Sequence, residues 1–343
     1  MIVNSQALET TTVPEELQHR DNQIEQLEAA LDPITSGRRG EDALITGPSG
    51  TGKTTIAKFV VQELEKQTFD VRWGYVNALS RSTRTKALWK LARDARVGAD
   101  LRPEGHAPSV YRDRLADLPE DEQFVAIIDE VHALSEPATL YDLLEIPHVS
   151  VILVTIDEDS FAADADQRLR SRLHGIQKLD LDRYSVTELT SILKKRVEHG
   201  LAPSAVSDGV CELIADIAAG DARHAIVLLR EAVQEAMANN DPTVTEQHVQ
   251  AGRDDAKAAV RRRYLSDLGT EPRLLWEIIR QHGPITGEKL KKRYEARSND
   301  PVADSTRRTY LGSLEEYEMI EQEGRGKGSR YRATAEFKGE VIV

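Results

Sequence analysis

Eight residues, Gly47-Pro48-Ser49-Gly50-Thr51-Gly52-Lys53-Thr54, constrain this chain more than any other part of it. They fit the pattern G-x-x-x-x-G-K-[ST] and fall between an apolar, β-rich run (Ala43-Leu44-Ile45-Thr46) and a stretch of helical periodicity. A glycine-rich turn from strand into helix lets backbone N–H groups close around a phosphate. The helix N-terminus adds its partial positive charge. Lys53 is then placed to reach the β and γ phosphates, and Thr54 to offer its hydroxyl to Mg²⁺. ATP and Mg²⁺ are the expected cofactors.

The residues around this loop alternate short β-rich runs with helical stretches from Asp42 to about Leu181, the pattern of a parallel sheet covered by helices. The strand candidates are Ala43 to Thr46, Val71 to Val76, Phe124 to Ile128, Val149 to Thr155, and Ile176 to Leu181. Near-continuous apolar character in the third and fourth predicts central strands, buried on both faces. The third ends in Asp129-Glu130. An Asp at that point would hold Mg²⁺ through water, and the following Glu would orient and deprotonate an attacking water. From Ser185 to about Val260 the periodicity is helical only, opened by the capping-box spacing Ser185-Val186-Thr187-Glu188. A small mixed segment follows: helices over Leu274 to His282, Thr286 to Tyr294 and Ser305 to Tyr317, then a glycine-rich basic hairpin around Gly324 to Gly328. Three short helices and such a hairpin are what a winged helix-turn-helix requires.

Composition limits the partners. The single cysteine, Cys211, excludes a disulfide framework and fits a reducing cytoplasm. The polar N-terminus has no signal-peptide pattern, and no apolar run is long enough to span a bilayer. The net charge of -13 argues against nucleic acid, but it is unevenly spread. Arg261 to Ala335 holds 16 Lys and Arg against 12 Asp and Glu. The acid-rich remainder resembles surfaces that stay soluble at high salt.

The order of loop, Asp-Glu strand, Ser171-Arg172-Leu173 and Gly220-Asp221-Ala222-Arg223 resembles the AAA+ superfamily. The resemblance implies that Arg172 is an arginine finger acting on a neighbouring subunit's ATP. It implies that Arg223 is the second sensor, reaching the γ-phosphate from a helical lid; both are cations aimed at charge developing on the phosphoryl group. One departure stands out. The family's first sensor is usually a polar residue, often Asn, whereas Ile156 falls at or near that position with only Thr155 or Asp157 beside it.

Within the superfamily the chain looks like the archaeal relatives of the eukaryotic origin-recognition complex and cell-division-control loader. Val13-Pro14-Glu15-Glu16-Leu17-Gln18-His19-Arg20 resembles that clade's entry motif, which implies that Pro14 and Arg20 lie near the base. Asn77 to Gly105 occupies the place of its helical insertion, dotted with Arg81, Arg84, Lys86, Lys90, Arg93 and Arg96. These cations suit DNA contact or a solvated face equally. Gly220 to Ala225 resembles the clade's lid motif, and a winged helix follows.

The expected fold is an α/β AAA+ domain with a parallel sheet (1–182), an all-helical lid (183–262) and a C-terminal winged helix-turn-helix (263–343). The third helix would present Ser305, Thr306, Arg307 and Arg308 to a major groove, and the wing would bring Arg325, Lys327 and Arg330 to phosphates or a minor groove. Winged helices also serve protein contacts. The implied function is an ATP-dependent replication initiator that binds origin double-stranded DNA, recruits the replicative helicase, works beside other initiator paralogues and hydrolyses ATP as a slow switch. Two alternatives stay open: a clamp-loader-like ATPase, which should carry a helical collar, and a transcription-regulating ATPase, which should carry a sensor domain.

Overall fold

The computed structural model describes residues 1–343 except 104, 120, 159–160, 163–164, 325–327 and 335–343. Five strands, β1 (Ala43–Thr46), β2 (Val71–Asn77), β3 (Gln123–Asp129), β4 (Val149–Val154) and β5 (Gln177–Asp180), form one sheet in the order β2-β3-β4-β1-β5. Every pairing is parallel. β3 and β4 are buried along their whole length, as their unbroken apolar character predicts. The loop after β1 therefore leaves the interior of the sheet, and its glycine-rich turn runs into α2 (Lys53–Gln67). On one face α2 and α1 (Asp21–Leu31) pack on Ile45, Val125, Ile127 and Ile152. On the other, α3 (Arg84–Asp94), α4 (Pro108–Ala116), α5 (Ala138–Leu144) and α6 (Gln167–Leu173) cover Leu44, Phe124, Ile128 and Leu153.

The lid is built from α7 (Val186–Gly200), α8 (Val210–Ala218) and α9 (Ala222–Ala238), with the first half of α10 (Glu246–Asp267). Ser185 and Glu188 close the capping box at the start of α7, satisfying N–H groups that the first helical turn leaves unpaired. The chain's first residues also belong to the lid, not to the sheet domain. Leu8 lies in the lid core, Ala202 N donates to Met1 O at 2.8 Å, and Arg196 Nη1 donates to Ala7 O at 2.8 Å and Glu9 O at 3.0 Å. α10 is continuous across residue 262, so the lid passes into the C-terminal unit without a linker.

That unit holds α11 (Thr270–His282), α12 (Gly287–Arg297) and α13 (Asp304–Glu316) with an antiparallel sheet of β6 (Ile285–Thr286), β8 (Arg330–Ala333) and β7 (Ile320–Glu323) in that order. Three helices and an antiparallel hairpin in this order match the pattern that a winged helix requires. Its core of Leu275, Ile279, Tyr294, Tyr310 and Leu314 continues into Ala78, Leu79 and Ala133 of the sheet domain, so the two units share buried apolar surface. No helix among the described residues is long and apolar enough to cross a membrane.

Candidate functional site

Three units meet around a cavity of about 240 Å³. Its floor is the glycine-rich loop, where Ser49, Gly50, Thr51, Gly52, Lys53 and Thr54 all line the wall. Two glycines are required by what surrounds them. A Cβ on Gly47 (φ +136°) would stand 2.2 Å from Leu181 O, and one on Gly50 (φ +77°) 2.0 Å from the Asp221 carboxylate. The second clash shows how closely the lid sits on the loop. Ala222 N donates to Gly50 O at 3.0 Å, and Asp221 caps α9 by accepting from His224 N. This seating brings Arg223, one residue into α9, onto the cavity wall.

Lys53 is buried, and desolvation lowers its pKa, opposed by Glu130 and Asp129. Its Nζ donates to Gly47 O at 2.5 Å and Pro48 O at 2.8 Å, which ties the ammonium to the loop that it serves. At the end of β3, Asp129 Oδ2 accepts from Thr54 Oγ1 and from Tyr75 Oη, each at 2.8 Å. Tyr75 has no motif to announce it. Its place in register beside Ile127, two residues before Asp129, puts the phenol within reach. Burial, then the Asp129 charge, push that phenol far above its usual range, so it remains a donor.

Glu130 follows at φ +54°, a left-handed conformation that a side chain other than glycine adopts at a cost. Its Oε1 accepts from Tyr317 Oη at 2.5 Å, while Oε2 is buried with no hydrogen-bond partner. Tyr317, just past α13, lines the cavity and stacks on Tyr264 of α10 with ring centroids 3.8 Å apart. The Arg223 guanidinium lies 5.7 Å from the centre of the same Tyr317 ring.

Other expected site residues go elsewhere. Pro14 lines the cavity with Val13 and Gln18, but Arg20 does not. Instead Arg20 is buried, donates to Thr51 O at 3.2 Å and Asp182 O at 2.7 Å, and stacks on Tyr184 at 4.0 Å. It braces the loop from behind, because two carbonyls and a ring face offer a buried guanidinium the partners it needs. Arg172 lies apart from the cavity, donating to Leu144 O at 3.2 Å with Glu145 3.6 Å away. Thr155 is buried, with Oγ1 3.2 Å from His132 Nδ1; Ile156 meets the loop through its carbonyl, which accepts from Gly47 N.

On the winged unit, Arg307 is turned inward, contrary to its expected place at a groove. Its side chain is 10% exposed and bonded to Asp304 at 2.8 Å. α13 begins at Asp304, so Arg307, Tyr310, Leu311 and Leu314 share the helical face that packs on the core. Arg308 and Arg330 are exposed, and Arg325 and Lys327 lie outside the described residues. In the insertion, Arg84 is committed to Asp142 at 2.5 Å and Lys90 to Asp94.

Comparison with known proteins converges on one family. Residues 16–156 match the AAA ATPase domain, and residues 190–254 the Cdc6 AAA+ ATPase-type lid domain. ORC1-type DNA replication protein 9 of Halobacterium salinarum is 34% identical over 96% of this chain and 93% of its own length. ORC1-type DNA replication protein 1 of the same organism is 35% identical over 88% and 97%. In fold, the chain is similar to the Aeropyrum pernix ORC1 protein solved in complex with DNA (TM-score 0.73, 24% identity, 98% and 94% covered). On these matches the chain belongs to the ORC1/Cdc6-type DNA replication proteins.

Proposed function

We propose that this chain is an ATP-dependent replication initiator, which binds origin double-stranded DNA, helps to recruit the replicative helicase and uses hydrolysis as a slow switch. The observation that carries the proposal is the shared cavity. The phosphate loop, Asp129, Glu130 and the lid's Arg223 face one space, and Tyr264 and Tyr317 close it from the C-terminal unit. Whatever occupies that space touches all three units, as a nucleotide-dependent switch requires.

Thr54 and Asp129 fit Mg²⁺: their oxygens already meet at 2.8 Å, and both are hard donors. The metal would supply positive charge to bridged phosphates. Among the described residues no cluster of three or more His, Cys, Asp or Glu gathers, so the remaining ligands would be phosphate and water. Lys53 and Arg223 would bind the phosphates as cations. Glu130 Oε2, buried without a hydrogen bond and 3.6 Å from His132 Nε2, would take the proton of the attacking water. Arg172, away from this chain's own cavity, would serve a neighbouring subunit's ATP. Slow turnover is supported by Thr155, whose hydroxyl is committed to His132.

For DNA, Arg308 at the exposed start of α13 would meet base edges, while Arg325, Lys327 and Arg330 would meet phosphates. A clamp-loader-like ATPase should carry a helical collar, whereas residues 270–333 form three helices with an antiparallel three-stranded sheet. The initiator would act in the cytoplasm, on the nucleoid.

The test is a titration against duplexes carrying any short repeats found beside its own gene and against scrambled duplexes, with and without ATP, at several salt concentrations including high salt. A preference for the repeats that strengthens with ATP is expected. Equal affinity for both duplexes at every salt concentration would sink the origin reading.

A further inference from the structure

The last turn of α13 makes two polar contacts with the ATPase centre that nucleotide binding itself does not require. Tyr317 Oη donates to Glu130 Oε1 at 2.5 Å. One turn earlier, Ser313 Oγ lies 3.0 Å from His132 Nε2. The protons along this second path can be assigned. Ser313 Oγ is buried and donates its only hydrogen to Thr309 O at 3.1 Å, so it accepts from His132 Nε2–H. His132 Nδ1 is then the acceptor for Thr155 Oγ1–H. Burial lowers the His132 pKa against the raising effect of Glu130 and Asp129, which suits a neutral ring with one donor and one acceptor. For Tyr317, burial and then the Glu130 charge hold the phenol well above its usual range, so it stays a donor.

We propose that Tyr317 and Ser313 are positioning residues of the ATPase centre, which hold Glu130 and His132 in an idle arrangement for as long as the winged unit is docked. The proposal rests on Glu130 acting as the base. A phenol donating to a carboxylate stabilises its charge and fixes its orientation. The bond to Oε1 lowers the basicity of the carboxylate and fixes the direction of its other oxygen, Oε2, so it must stretch or break before Oε2 turns to take a proton from water. The same ring holds Arg223 at 5.7 Å, so the lid cation and the base share one restraint. At the other end of the path, the Thr155 hydroxyl at the end of β4 is tied to His132, and through it to α13.

The element that carries both contacts is the one whose opposite end is exposed. Arg308 and Tyr317 are nine residues apart in sequence, or about 14 Å along a helix axis. A rigid helix of this length cannot be re-seated at Arg308 without moving Ser313 and Tyr317. The docked position has its own support: the winged core runs into Ala78, Leu79 and Ala133, and Gly269 N donates to Leu79 O at 2.7 Å.

Steady-state ATP hydrolysis by the full chain, with nucleotide affinity measured separately, tests the proposal. Tyr317→Phe keeps the ring stacked on Tyr264 and removes only the donated bond. We expect kcat to rise on the order of tenfold, the size of effect that one hydrogen bond to a charged group can exert, with KM for ATP within about twofold of wild type. Ser313→Ala, which leaves the cavity wall intact, should raise kcat by about two- to threefold. A Tyr317→Phe chain that binds ATP normally but turns over no faster than wild type would overturn the proposal. So would an absence of turnover in both chains with ATP bound. Glu130→Gln in the Tyr317→Phe background separates the two readings. Loss of all turnover leaves Glu130 as the base whatever Tyr317→Phe does, whereas a surviving rate removes the base and the restraint together.

Discussion

At the nucleotide loop two cations are enclosed, Lys53 in the cavity wall and Arg20 behind the loop; on the winged unit the cations are more numerous and several are matched to carboxylates. Lys53 and Arg20 are buried and donate to carbonyl oxygens, with Arg20 Nε left without a hydrogen bond, and neither forms an ion pair with a carboxylate among the described residues. On the winged unit Lys291 pairs with Asp304, Lys292 with Glu288, Arg332 with Glu321, and Arg307 with Asp304. A local excess of positive residues is therefore a poor measure of positive surface. What remains without an ion pair among the described residues includes Arg308 and Arg330, and the DNA reading rests on those two with Arg325 and Lys327. Enclosed cations at the loop and exposed, partly paired ones on the winged unit offer an anion two different settings.

The contrast can be tested in steps of falling size. Lys53→Ala should abolish measurable ATP binding, because two carbonyl oxygens lose their cation and the phosphates lose theirs. A nucleotide titration with near-normal affinity would remove the loop assignment. Arg308→Ala should cost about 1–3 kcal/mol of discrimination between repeat and scrambled duplex, seen as loss of affinity for the first alone. Equal loss on both would make Arg308 a phosphate contact, and α13 would not be the element that selects sequence. Arg307→Ala should instead lower unfolding stability by about 1–3 kcal/mol, since it leaves a core-facing helix position without its bond to Asp304. Selective loss of repeat binding without a change in melting would restore Arg307 to the groove. Arg20→Ala should likewise act on stability first, by about 1–2 kcal/mol, with ATP affinity following only as the loop loosens. Smallest of all, Arg330→Ala should weaken both duplexes alike and flatten the salt dependence by about one unit.

The parts of this molecule that are legible in sequence are those fixed by local rules. All five sheet strands fall within a residue or two of where apolar runs place them, and the glycine-rich loop lies between a strand and a helix as its motif predicts. The inward face of Arg307 is legible too. With Tyr310, Leu311 and Leu314 it forms a stripe at i, i+3, i+4 and i+7, which marks a core-facing side chain. By contrast, nothing local ties Leu8 to the lid core, or Arg20 to Asp182, because those contacts join distant segments. Tyr317 is the extreme case. It lies 187 residues from the glutamate that it touches, and no periodicity connects them.

α10 gives the lid a mechanical property of its own. Its 22 residues make a shaft about 33 Å long, anchored in the lid at one end and carrying Tyr264 near the other. Glu130 does not ride on that shaft; it is fixed to the central sheet. Simple leverage then applies: a tilt of about 10° at the lid end would sweep the far end through about 6 Å. A bond of 2.5 Å tolerates only a small fraction of that travel. The molecule would thus behave less like a dial than like a trigger, with a small lid movement enough to make the tyrosine let go all at once.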